Sequence, residues 1–130
     1  MDKEQGISQV KSQAPLSETA IQINVVTWFK YNFPEYGDDL IHIANERKTS
    51  YNQGKILKKM GVKRGIPDLF LSVPNSYAHG LWLELKAGKG RLSKEQQEFL
   101  TRKRLQGYEA RVAYSVQEAK DFISCYMNGV

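Results

Sequence analysis

The sequence has little of several residues that usually announce a function: one cysteine, two histidines, two tryptophans and four prolines in 130 residues. The lone Cys125 has no second cysteine for an internal disulfide or a paired-cysteine zinc site, so the expected setting is reducing and cytoplasmic. No run of 18 or more apolar residues occurs, and no segment reads as a membrane span. Met1 to Pro15 is polar, carries Asp2 and Glu4, and lacks the basic and apolar blocks of a signal peptide. Residues 1–16 therefore read as a flexible N-terminal tail. Nothing afterwards repeats or marks an internal boundary, so residues 17–130 are expected to form one domain with a single core. Hydrophobic residues make up 41% of the chain, the proportion of a folded soluble domain.

Charge is plentiful, and its placement is more informative than its total. Between Arg47 and Arg104 there are 14 Lys and Arg against four acids, a local charge of +10 within a net charge of +5. The flanks together carry −5. A basic middle suits a polyanion such as nucleic acid, although a solvated Lys-rich surface has the same composition.

Local signals give an order of elements. Ser17 reads as a helix N-cap, and Ile21, Gln22, Val25 and Phe29 fall within about 60° of Glu18 on that helix, which should end before Pro34. Trp28, Phe29, Tyr31 and Phe33 are expected in the core rather than as a base-stacking platform. Leu40 to Ala44 reads as a short strand after a Gly-Asp-Asp turn, and Gln53 to Met60 as a basic helix closed by Gly61. Leu69 to Val73 and Leu81 to Lys86 read as a hairpin around the turn-rich Pro-Asn-Ser-Tyr-Ala-His-Gly. Ser93-Lys94-Glu95-Gln96 is a capping box for a helix that Gly107 ends. A strand over Ala110 to Tyr114 and a helix over Val116 to Met127 complete the chain. This order gives an α/β fold with a mixed sheet of about four strands between helices.

The chemistry concentrates in the hairpin. In the second strand Leu81, Leu83 and Leu85 alternate with Trp82, Glu84 and Lys86, giving two distinct faces. With Val73 opposite Leu81, Asp68 lies opposite Lys86 and Phe70 opposite Glu84, so Asp68, Glu84 and Lys86 converge. A one-residue slip would turn Asp68 to the other face. Two carboxylates beside one ammonium suit a hard cation such as Mg²⁺, which takes oxygen ligands and shares substrate phosphates. Without a cation the carboxylates would repel a phosphodiester. Pro-Asp is also a common turn dipeptide and Glu-x-Lys a common exposed-strand pattern, so the basic middle of the chain strengthens the reading.

Gly65-Ile66-Pro67-Asp68-Leu69, Gly80-Leu81-Trp82-Leu83-Glu84-Leu85-Lys86, Leu92-Ser93-Lys94-Glu95-Gln96 and Gly107-Tyr108 resemble the virus-type replication-repair nuclease (VRR-NUC) domain. That family belongs to the PD-(D/E)XK nuclease superfamily, and the resemblance runs from about Ser17 to Tyr126. It implies a restriction-endonuclease-like fold and an endonuclease dependent on Mg²⁺ or Mn²⁺. Its substrate would be DNA, often branched, such as a four-way (Holliday) junction in replication, repair or recombination. Small stand-alone members resembling this chain come from phages and bacteria and tend to be homodimers. The family pattern falls on Asp68, Glu84 and Lys86, with the Leu85 carbonyl as a further metal ligand. It also implies catalytic roles for Glu18 and Gln96.

Glu18 lies in line with the apolar stripe, an odd place for a charge unless it faces a site, although a helix's first turn also favours a carboxylate. Gln96 already has a structural role in the capping box, and the two roles are compatible. Asn45-Glu46-Arg47 resembles a family feature near the site, with Glu46 as an outer-shell ligand. Lys55, Lys58, Lys59, Lys63, Arg64, Lys89 and Arg91 are expected to grip phosphates, contacts that position a duplex without reading its sequence. His42 is expected to pair with the sheet and His79 to lie in a loop, neither acting as a base. Two other readings compete: a catalytically idle nuclease fold serving as a DNA-binding subunit, and a basic protein-interaction module. The intact Asp68, Glu84 and Lys86 trio disfavours the former, and the latter predicts no affinity for DNA at low salt.

Overall fold

The computed structural model describes residues 16–44 and 50–130. Ser17 opens helix α1 (Glu18–Asn32) by accepting the Ala20 amide on its hydroxyl at 3.1 Å. Ile21, Val25 and Phe29 on this helix are buried, as the stripe requires. Tyr31 lies off the stripe and is 87% exposed, so it leaves the expected aromatic core to Phe29 and to the partly buried Trp28 and Phe33. Pro34 starts a 3-10 helix that runs to Asp39 and absorbs the Gly-Asp-Asp turn.

Strand β1 (Leu40–His42) follows and is shorter than the expected Leu40 to Ala44. Helix α2 (Tyr51–Lys59) begins before Gln53 because the Ser50 hydroxyl accepts the Gln53 amide at 3.3 Å. Gly61, at φ 99°, closes it in a conformation that other residues rarely adopt. Strands β2 (Leu69–Leu71) and β3 (Leu81–Leu85), helix α3 (Lys94–Leu105), strand β4 (Glu109–Ala113) and helix α4 (Val116–Met127) complete the order.

The sheet order is β1-β2-β3-β4, with antiparallel pairing up to β3 and parallel pairing of β3 with β4 across the α3 crossover. On one face Leu81, Leu83 and Leu85 pack with Ile21, Val25 and Phe29 of α1 and Ala119, Ile123 and Tyr126 of α4. On the other, Trp82 stacks on Phe70 at 4.2 Å and meets Phe99 of α3 edge-on at 5.0 Å. The Lys103 ammonium lies 5.2–5.8 Å from the rings of Trp82, Phe99 and Tyr108 and seals this second layer. Among the described residues no helix is long and apolar enough to cross a membrane.

The hairpin register differs from the expected one by two residues: Leu71 pairs with Leu81 and Leu69 with Leu83. Val73 lies beyond β2, where its carbonyl accepts the Tyr126 hydroxyl at 2.6 Å, and the Ser72 amide turns to the Asp39 carbonyl at 2.9 Å. These partners from α4 and the β1 side draw Val73 out of the hairpin and lengthen its loop. Continued past Leu69, the register sets Asp68 across from Glu84 rather than Lys86. A two-residue shift keeps every side chain on its face, so the convergence survives the correction.

Candidate active site

Asp68 stands at the entrance to β2, after the buried Pro67, and its backbone is pinned to β1. Its carbonyl accepts the Ile43 amide at 3.1 Å and lies 2.8 Å from His42 Nδ1, which can only donate to it. Its carboxylate Oδ2 accepts the Leu85 amide from β3 at 2.8 Å. The two strands thus fix this acid at both its main chain and its side chain.

Glu84 is 3% exposed, an expensive place for a carboxylate unless it is held. Its Oε2 lies 3.5 Å from Lys86 Nζ and accepts a hydrogen bond from Gln96 Nε2 at 3.2 Å. Gln96 reaches it from the first turn of α3 while its Oε1 accepts the Ser93 amide at 2.9 Å. One side chain therefore completes the capping box and braces a buried acid. Glu18, in the first turn of α1, supplies the third acid. Carboxylate oxygens of Glu18, Asp68 and Glu84 all lie within 4.8 Å of one another.

Burial pushes the Glu84 carboxyl up to about 8, and the neighbouring Asp68 charge adds to the rise. Lys86 opposes both effects, and Glu18 adds a smaller upward push. Three carboxylates so close together suit a divalent cation, which would offset their mutual repulsion. The all-oxygen donor set fits Mg²⁺ or Mn²⁺ rather than a thiolate-seeking metal.

Of the other residues expected to act, Lys55, Lys58 and Lys59 are exposed on α2, Lys63 and Arg64 on the loop leading to Asp68, and Lys89 and Arg91 on the loop after β3. Glu46 lies outside the described residues. His79 meets Tyr108 edge-on at 5.6 Å, in the aromatic layer. The hydrogen bond between His42 and Asp68 leaves no mark in the sequence. It depends on how β1 pairs with β2, which no local signal gives.

The VRR-NUC domain model matches residues 11–117 of the chain. A solved structure described as a VRR_NUC domain protein is similar to this one with a TM-score of 0.79 and 26% sequence identity, over 90% of this chain and 93% of that one. The four-stranded mixed sheet and its flanking helices are shared with that structure and correspond to the restriction-endonuclease-like fold. No curated protein matches the chain.

Proposed function

The chain belongs to the VRR-NUC domain family, and from that premise we propose that it is a Mg²⁺- or Mn²⁺-dependent endonuclease hydrolysing DNA phosphodiester bonds. The observation that carries this reading is the meeting of Glu18, Asp68 and Glu84 within 4.8 Å, with the Lys86 ammonium 3.5 Å from Glu84. Solvated surface acids have no need of a buried member braced by a glutamine.

In this reading Glu18, Asp68, Glu84 and the Leu85 main-chain carbonyl would hold the ion. When bound, the ion neutralises charge on the phosphate and makes water a better nucleophile. Lys86 orients the attacking water and stabilises negative charge on the phosphate oxygens. Gln96 keeps Glu84 aimed at the site. Lys55, Lys58, Lys59, Lys63, Arg64, Lys89 and Arg91 hold the flanking phosphates, and Glu46 serves as an outer-shell ligand. No recognition-helix motif or zinc finger is present in the sequence, so selectivity comes from DNA shape, with branched or junction DNA as the preferred substrate. A homodimer would bring two such centres to one branch point.

A cleavage panel tests this directly: labelled four-way junction, flap, nicked and plain duplex DNA, each incubated with Mg²⁺, Mn²⁺ or EDTA. We expect endonucleolytic products with either metal, most from the branched substrates, and none in EDTA. Equal cutting of every substrate would remove the structure selectivity, and cutting in EDTA would remove the metal.

A further inference from the structure

We propose that Gly65 is a positioning residue for Glu84, acting through the first turn of α3. Gly65 has φ +81°, and a Cβ there would lie 2.6 Å from the Glu95 carbonyl carbon, 2.7 Å from its oxygen and 2.8 Å from the Gln96 nitrogen. All three atoms belong to the peptide joining Glu95 to Gln96. A backbone peptide inside a capped helix turn cannot swing aside as a side chain would. The loop that carries Lys63 and Arg64 therefore rests backbone to backbone on the turn that carries Gln96, and only glycine permits so close an approach.

The consequence runs through one side chain. Gln96 Nε2 reaches Glu84 Oε2 at 3.2 Å, already the long end of the range for a nitrogen donor. A Cβ at Gly65 forces the peptide ahead of Gln96 away by several tenths of an ångström, which carries the amide out of reach of Glu84. The same loop runs on through the buried Pro67 to Asp68. Gly65 thus sets the spacing between the loop that leads to Asp68 and the helix turn whose Gln96 braces Glu84.

Gly61 supplies a matched control. It has φ +99°, the same demand on the backbone, but an added Cβ there meets nothing within 4 Å. Asparagine tolerates positive φ better than most residues, so Gly65→Asn and Gly61→Asn share the conformational strain and differ only in what the new side chain meets.

This inference rests on the nuclease reading for its effect on cleavage, and the test separates the two. Thermal denaturation, DNA affinity in Ca²⁺ and single-turnover cleavage are measured for both variants, alone and with Gln96→Ala. Gly65→Asn should keep its DNA affinity within about threefold and lose about tenfold to a hundredfold in cleavage rate, the scale of a small misplacement of a reacting group. Gly61→Asn should change neither. In the Gln96→Ala background Gly65→Asn should cost little more, because both changes remove one brace. Equal rates for the two asparagine variants, or losses that multiply with Gln96→Ala, would overturn the proposal. So would a Gly65→Asn chain that fails to fold while Gly61→Asn folds, since the close approach would then serve the fold alone. The NMR signal of the Gln96 side-chain amide makes the same comparison without catalysis: Gly65→Asn should displace it and Gly61→Asn leave it. If the wild-type protein cuts no DNA, the nuclease reading fails and this signal alone decides the positioning role.

Discussion

At Glu84 burial and the neighbouring Asp68 charge together outweigh Lys86, and the metal-free protein should show it. The folded carboxyl sits at about 8 against an ordinary value of 4.5, so the folded state holds the proton more tightly than the unfolded chain. That contribution is full below about 4.5 and lost as pH rises through about 8. In EDTA the melting temperature of the wild-type protein should therefore fall across this window relative to that of Glu84→Gln, whose amide stays neutral. Parallel melting profiles for the two proteins would contradict the assignment. Gln96→Glu separates the two tasks of Gln96. Glutamate is a favoured third residue in a capping box, so α3 should keep its stability. A carboxylate there cannot donate to Glu84 as Gln96 Nε2 does and repels it instead, so Glu84 should lose its aim and cleavage should slow, as a rate assay would report. An unchanged cleavage rate would confine Gln96 to the cap. Asp68, Glu84 and Lys86 are legible in the sequence because short local patterns, Pro-Asp at a strand entrance and Glu-x-Lys along a strand, place them. His42 joins the sheet as expected, but its bond to Asp68 and the close approach at Gly65 are not legible, because each depends on a neighbour distant in the chain.

Helices are the most legible elements, since their ends are set by nearby chemistry. The Ser17 and Ser93 hydroxyls cap α1 and α3, and α4 spans the expected Val116–Met127. Strand ends are less legible: β1 stops at His42, and β2 stops at Leu71 once Tyr126 and Asp39 take the groups of the next two residues. The two-residue register error is harmless because pleat alternation has a period of two. Helix α2 and its following loop carry a prediction of their own. Replacing Lys58, Lys59 and Lys63 with Ala should weaken binding to every DNA sequence alike. It should also lower the slope of log affinity against log salt by about 0.9 for each phosphate no longer neutralised. Binding titrations on two unrelated sequences over a range of salt check this, and weakening confined to one sequence would refute the phosphate grip.

The whole molecule places its positive charge unevenly, and the two loops that flank the acidic cluster, before Asp68 and after β3, both belong to the basic middle of the chain. In the proposed nuclease reading these two loops are where a polyanion would be drawn toward the site. A domain of 14.9 kDa covers only a short length of duplex, so paired cuts at a branch call for two copies. Light scattering at micromolar concentration should report about twice that mass, as a closed two-fold dimer requires. A monomer that makes paired, symmetric cuts in a four-way junction would refute the dimer. Whether the acidic cluster and Lys86 together perform metal-dependent cleavage is decided by one rate comparison. Single-turnover cleavage of a labelled junction in saturating Mg²⁺ is measured for the wild type and for Asp68→Ala, Glu84→Ala and Lys86→Ala, with folding checked by thermal denaturation. The wild type should yield product, and the three folded variants none above background. Cleavage at the wild-type rate by a folded Glu84→Ala protein would show that the chemistry lies elsewhere.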